Sequence, residues 1–367
     1  MKILLLGEYS NVHWTLACAL RRLGHEVCVV SNGDAWKGYS TDISLVRRSG
    51  RWGGVTYLCK LLGMLPKFRG YDVVQLINPV HFVELRAERG IHIYNYLRKH
   101  NKRVFLGAFG TDYYYIYDSV IRRRLRYCDF YTPTREVLHE WNTMNKHDWL
   151  HTFKKEANIH IAKTCNGIIS GLYEYDVAYR VDFSNKTTFI PFPIDITTDN
   201  DKETSPQPNG KIRFFIGIQR DRTALKGTDI MLRALLRLVE NYPDRAEMIK
   251  AESVPFTQYK AMLNSSDVLL DQIYSYTPAM NALQAMSQGL IVVSGGEEEN
   301  YAILDENELR PIINVQPDEE DIYQQLEQLV LHPERINKLK CDSREYIRRH
   351  HDSNKVALRY LDAWTKG

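Results

Sequence analysis

The chain has 367 residues, 44% of them hydrophobic and 25% charged, more than one ordinary core holds, which predicts two globular domains. With 48 Lys and Arg against 45 Asp and Glu the formal net charge is +3, too balanced for a dedicated nucleic-acid binder. The six cysteines are scattered with no Cys-x-x-Cys pair, so they give no zinc or redox signature and predict reduced thiols in a cytoplasmic protein.

The opening MKILLLGEYSN has too short an apolar run for a signal peptide and reads as a buried strand over 2–6, ended by Gly7. A helix over 12–23, a stop at Gly24 and a strand over 26–31 make a Rossmann-type opening without G-x-G-x-x-G, so no nicotinamide or flavin cofactor is expected. The loop 8–13 lies at the sheet edge where ligands bind. It offers Asn11 and His13, the latter either a substrate contact or a helix-surface histidine. Residues 35–54 form a polar loop with Arg47, Arg48 and Arg51, followed by an apolar helix over 55–65 with Lys60, Lys67 and Arg69 around it. Two readings stand: solvated basic side chains, or a docking surface for anionic lipid head groups or a phosphorylated acceptor.

Strand 72–77, a helix ending near 100 and strand 103–106 lead to the loop 107–112. There Gly110 frees the backbone, and Asp112 either accepts from the hydroxyls of a ligand or caps a local turn. The rings of Tyr113, Tyr114, Tyr115 and Tyr117 are sugar-stacking faces or packing. Helical patterns cover 133–146 and 148–164, and strands over 167–170 and 187–190 close the first domain.

Residues 197–210 are polar and proline-bearing, an interdomain linker whose Asp199 and Asp201 mimic a metal motif without a rigid strand to hold it. From 211 the pattern of the amino terminus repeats: a basic residue, a buried strand and Gly217. A polar loop then reaches Lys226-Gly227 and an amphipathic helix to 240, with Met231, Leu232, Leu235, Leu236 and Val239 on one face. After a strand over 246–250, a loop over 251–255 carries Glu252 and Val254.

The stretch 265–301 reads as one β-α-β unit: a strand over 267–274, a helix capped by Thr277 with Pro278 at its first position, a stop at Gly289, a strand over 290–294, and Gly295-Gly296. A helix start and a side-chain-free turn suit a phosphate-bearing ligand; the bland reading of Gly-Gly is a tight turn. Helices over 319–331, 334–349 and 354–364 finish the chain.

This stretch resembles the carboxyl-terminal half of retaining glycosyltransferases of the group 1, family 4-like type, which carry a Glu, seven residues, then Glu-Ala-Met, a Gly, a hydrophobic strand and a Gly-rich turn. Gln284-Ala285-Met286 fits the second Glu-Ala-Met and Tyr276 falls on the first Glu, so both glutamates are replaced. Residues 107–112 match the family's His-Gly-Ser-Asp turn with Phe109 at the histidine, and 191–195 match the segment that ends its first domain.

The resemblance implies an α/β fold of the GT-B architecture, two Rossmann-like domains facing each other across a cleft with the last helix returning to the first. The implied domains are 1–195, completed by about 350–367, a linker over 196–210, and 211–349. It implies a metal-independent, retaining transferase that moves a sugar from a nucleotide diphosphate sugar to a glycan or lipid-linked acceptor in cell-surface polysaccharide biosynthesis. No cofactor or metal is implied, and the place is the cytoplasm or the inner face of the membrane. Lys226 and Arg222, or Arg220, would bind the donor diphosphate, with Asp112 at the sugar. Gln284 would hold the ribose, Glu252 and Val254 would flank the base, and Asn11, His13, Gly110, Gly217, Tyr276, Thr277, Pro278, Asn281, Gly295, Gly296 and Glu297 would line the substrates. A nucleotide-sugar or glycan-binding protein and a nucleotide-sugar epimerase are the alternatives on the same fold.

Overall fold

A computed structural model describes residues 1–34, 37–196, 210–219 and 222–366, without the side chain of Phe256. The expected linker's Asp199 and Asp201, and Arg220, lie outside the described residues. The chain divides into two compact units, one of Met1–Arg124, Met144–Asp195 and Ser353–Gly367, the other of Leu125–Thr143 and Ile196–Asp352.

The first unit is built on seven parallel strands: β1 (Lys2–Leu6), β2 (Glu26–Ser31), β3 (Ile43–Ser44), β4 (Val73–Leu76), β5 (Arg103–Ala108), β6 (Gly167–Ser170) and β7 (Thr187–Phe189), in the order β3-β2-β1-β4-β5-β6-β7. Leu4 stands between Cys28 and Val74 in register. Continuous apolar runs form these strands because helices cover a parallel sheet on both faces. The final helix, Ser353–Lys366, belongs to this unit. It buries Val356, Ala357, Tyr360 and Trp364, and the Trp364 indole donates to Gln75 in β4 at 3.2 Å.

The second unit carries β8 (Ile212–Ile218), β9 (Ala246–Glu252), β10 (Val268–Leu270), β11 (Ile291–Ser294) and β12 (Ile313–Asn314), in the order β12-β11-β10-β8-β9. Its core centres on Phe214, Ile216, Val268, Leu270, Ile291 and Val293. Helix Thr228–Asn241 packs on it through Ile230, Met231, Ala234, Leu235 and Leu238. Leu236, expected inside, is 48% exposed, because the buried stripe runs one position round from the expected one.

Two expectations for the 265–301 unit change. Strand β10 stops at Leu270, since Ile273 N–H donates to the Lys226 carbonyl at 3.1 Å and so leaves the sheet ladder. The next helix is Met280–Ser287, with Ala279 before it and no side-chain cap. Thr277 therefore does not cap it and Pro278 is not its first residue. The chain bends at Tyr276 and Thr277 instead, and the Tyr276 carbonyl accepts from Glu297 N–H at 3.1 Å. Among the described residues no helix is long and apolar enough to cross a membrane.

Candidate active site

Each sheet reverses its strand order once, and in open α/β sheets ligands bind beyond the carboxyl ends of the strands that flank such a reversal. In the second unit those strands are β8 and β10. Gly217 lies near the end of β8, where a Cβ would stand 2.9 Å from the Tyr259 ring. The Tyr259 hydroxyl donates to Asn281 Oδ1 at 3.1 Å, and Asn281 Nδ2 donates to Asp271 Oδ1 at 2.9 Å. Asp271 follows β10 directly and is 3% exposed. Its Oδ1 also lies 3.5 Å from Nζ of Lys226, while its Oδ2 has no hydrogen-bond partner among the described residues.

The lysine is held on a one-turn helix, Thr223–Lys226, that ends at Gly227 with φ +69°. Gly227 must be glycine twice over: that φ favours it, and a Cβ would meet Ile273 Cγ1 at 2.3 Å. Arg222 is exposed just before the turn. Glu252 ends β9 beside Ile218, paired with Lys250 at 3.0 Å, and Val254 follows Ser253, whose φ is +52°. Gln284 is half-buried, its amide on the Ser287 hydroxyl at 3.1 Å. The geometry thus gathers Gly217, Lys226 and Asn281 around Asp271 and Tyr259, two residues that the sequence reading passed over. Asp271 was hidden inside an apolar run; a carboxylate directly after a buried strand is the signal that marks it.

Tyr276 and Glu297 have a different occupation. Tyr276 is 1% exposed; its hydroxyl accepts from Arg126 N–H at 2.5 Å, and its ring lies 4.9 Å from that of Tyr127. Glu297 accepts from Tyr127, Gln316 and Arg126, each at 2.6 Å, and from Asn314 at 3.1 Å. Burial pushes its carboxyl up, but the bonds from Tyr127, Asn314 and Gln316 and the Arg126 charge outweigh that and hold it below the usual range. Both side chains therefore fasten residues 125–127 within the second unit. The Gly295-Gly296 turn is also internal: a Cβ on Gly295 would lie 1.6 Å from the Ser275 carbonyl oxygen, and Gly296 N–H donates to Asn314 at 2.9 Å. The Gly296 amide is accordingly not offered to a phosphate.

In the first unit the order reverses between β1 and β4. Glu8, 3% exposed, accepts from His13 N–H at 3.1 Å and Trp14 N–H at 2.9 Å, capping helix Val12–Arg22 in place of Asn11. Asn11 has φ +70° and donates to the Thr15 hydroxyl at 3.2 Å. His13 is not a surface histidine: it is fully buried, Nδ1 lies 2.8 Å from the Gly7 carbonyl, Nε2 has no partner among the described residues, and the ring meets Phe109 edge-on. Burial drops its pKa to about 4 against that bond, and pushes Glu8 up to about 8 against its two backbone bonds. Gly110 packs on Tyr9, whose ring a Cβ would meet at 2.9 Å.

Asp112 is fully buried too. It caps helix Tyr113–Tyr117 through Tyr115 N–H at 2.9 Å and accepts from the Tyr179 hydroxyl at 2.6 Å. Burial raises its carboxyl to about 7 against those bonds. Each of its two oxygens thus accepts a bond from within the first unit. The neighbouring tyrosines are packing: Tyr113, Tyr114 and Tyr115 are buried, and Tyr114 packs on Tyr179.

No protein-family model matches the sequence, and no curated protein matches it. Solved structures do match over the whole chain. Sucrose-phosphate synthase from Thermosynechococcus elongatus is 13% identical with a TM-score of 0.62, covering 100% of this chain and 99% of that one. Anabaena HepE in complex with UDP-glucose is 11% identical at 0.60, with 100% of both chains covered. The UDP-GlcNAc 2-epimerase from Neisseria meningitidis bound to UDP-GlcNAc is 12% identical at 0.53, again with 100% of both. The likeness shows the fold, the GT-B architecture of two Rossmann-like α/β domains.

Proposed function

We propose that the chain is a glycosyltransferase that takes a sugar from a nucleoside diphosphate sugar and passes it to a glycan or lipid-linked acceptor. The observation that carries this is the Lys226 ammonium fixed against Asp271 where the β8–β10 order reverses. Breaking the bond from the anomeric carbon to phosphate oxygen sends its electron pair onto the diphosphate. A cation at that oxygen lowers the barrier because it is stronger for the developing charge than for the ground state. Lys226 takes that role with Arg222 beside it, without calling on a metal ion, while Glu252 and Val254 meet the base and Gln284 the ribose. The acceptor hydroxyl attacks the anomeric carbon, with retention, and its proton goes to the leaving phosphate. The cytoplasm and the making of cell-surface polysaccharide suit such a donor.

A panel of UDP-, GDP- and ADP-sugars in a thermal-shift assay tests the donor class, since a ligand that binds only the native state raises apparent stability. Transfer is then read as release of the nucleoside diphosphate in the presence of acceptors. No stabilisation by any member of the panel refutes the reading.

The second reading is a nucleotide-sugar epimerase. The likeness to UDP-GlcNAc 2-epimerases favours it, whereas the replacement of both motif glutamates by Tyr276 and Gln284 favours a binding protein. Conversion of the donor with no acceptor present separates the two; binding with neither reaction leaves a binding protein.

A further inference from the structure

Residues 46–69 contain six Lys and Arg (Arg47, Arg48, Arg51, Lys60, Lys67 and Arg69) and no Asp or Glu, whereas the whole chain nets +3. The remainder is thus net negative, and this segment is a concentrated positive patch. At its centre lies helix Gly53–Met64 of the first unit. The helix buries only Gly53, Tyr57 and Leu61, one narrow stripe. The opposite face, spaced i, i+3, i+4, i+7, is Val55, Leu58, Cys59 and Leu62, an apolar stripe turned outward. Val55 is 52% and Leu62 49% exposed, and Trp52 at the helix start is 67% exposed. Four of the fourteen large apolar side chains exposed among the described residues fall within 46–62, so they form a cluster and are not scatter. A recess of about 440 Å³ beside them is lined by Arg48, Arg51, Trp52, Thr56 and Lys60.

We propose that this face docks on an anionic lipid bilayer, with Trp52, Val55 and Leu62 entering the interface and Arg47, Arg48 and Arg51 meeting lipid phosphates. An amphipathic helix with cations beside its apolar face lies in the plane of a membrane surface, where Trp is at home. Both halves of the surface are then satisfied together. A nucleic acid answers the arginines and leaves the apolar stripe in water. A second copy of the same face answers the stripe and sets like charges against each other. The exposed stripe and the charge run belong to the first unit and Lys226 to the second, so neither rests on the proposed reaction.

Sedimentation of the full chain with phosphatidylcholine vesicles, with or without phosphatidylglycerol, tests it in the absence of any sugar donor. Binding is expected only with phosphatidylglycerol, and it should fall about tenfold as salt rises from about 0.1 to 0.5 M. Arg48→Glu with Arg51→Glu should abolish it, and Trp52→Ala with Leu62→Ala should weaken it about fivefold or more. All four positions are exposed, so unchanged thermal midpoints will show intact variants. The proposal is overturned by equal binding to both vesicles, by none to either, or by variants that bind like the parent. Displacement by soluble glycerol phosphate would overturn it in favour of a free-phosphate site, and binding of an oligonucleotide without vesicles would do so in favour of nucleic acid.

Discussion

Nζ of Lys226 lies 3.5 Å from Oδ1 of Asp271, a carboxylate that Asn281 also holds, at 2.9 Å. The lysine side chain is 29% exposed and the aspartate side chain 2%, so the aspartate is the fixed post and the lysine the arm. If Lys226 meets the diphosphate, Lys226→Ala should raise the barrier to transfer by about 2.7–4 kcal/mol, roughly 10²–10³ in kcat. Asp271→Ala should also slow transfer, because it frees the arm. In the double variant the second loss should vanish, with a coupling of about 1–3 kcal/mol in a double-mutant cycle. Additive losses would mean that Asp271 does not act through Lys226.

Tyr276 is 1% exposed, and its hydroxyl accepts from Arg126 N–H at 2.5 Å. Tyr276→Phe removes one acceptor and leaves that amide unpaired, at a cost of about 1–3 kcal/mol in urea unfolding. Donor affinity should stay within about twofold, less than the loss of one direct hydrogen bond produces. A large fall in donor affinity with unchanged stability would return Tyr276 to the substrate.

Much of this was written in the chain. The apolar runs at 2–6, 26–31 and 212–216 announced parallel strands because such strands are buried on both faces. Lys226-Gly227 was visible as a cation before a turn. The roles of Tyr276 and Glu297 were not, since their partner Arg126 lies 150 and 171 positions away and no local pattern reports such a contact. Thr277-Pro278 has the composition of a helix start, but the Tyr276 carbonyl is held by Glu297 N–H and the helix begins only at Met280. Asp112 offered two readings, and burial decided for the cap.

Among the shifted groups of the first unit, Glu8, Asp112 and His13 affect stability with different signs. Glu8, raised from 4.5 to about 8, keeps a proton in the native state over a range where the unfolded chain has lost it, so its contribution falls as pH climbs through that range. Asp112, raised from 3.8 to about 7, acts likewise. His13, lowered from 6.5 to about 4, acts oppositely and adds stability as pH rises between those values. Of the three, Glu8 titrates at the highest pH. Gln mimics the protonated acid, so the stability of Glu8→Gln relative to the parent should grow as pH rises from about 5 to about 8, read by denaturant midpoints. A constant difference across that range would show that Glu8 is already ionised in the fold.

Gly227 ties the candidate site to the backbone, and replacing it tests whether position alone matters. Its φ of +69° strains any L residue by about 1–2 kcal/mol, and a new methyl group would lie 2.3 Å from Ile273 Cγ1. The backbone must give way on one side. On that side Ile273 N–H is bonded to the Lys226 carbonyl, so relief of the clash shifts Lys226 itself. Gly227→Ala should therefore lower the unfolding free energy by about 2–4 kcal/mol, overpacking added to strain. It should also reduce transfer by about tenfold or more, because a displacement near 1 Å at a catalytic group is that costly. Placed on Lys226→Ala, the same change should still destabilise the fold and cost little further rate, since the arm it displaces is already gone. Equal rate losses in both backgrounds would show that Gly227 matters to the reaction by a route other than Lys226.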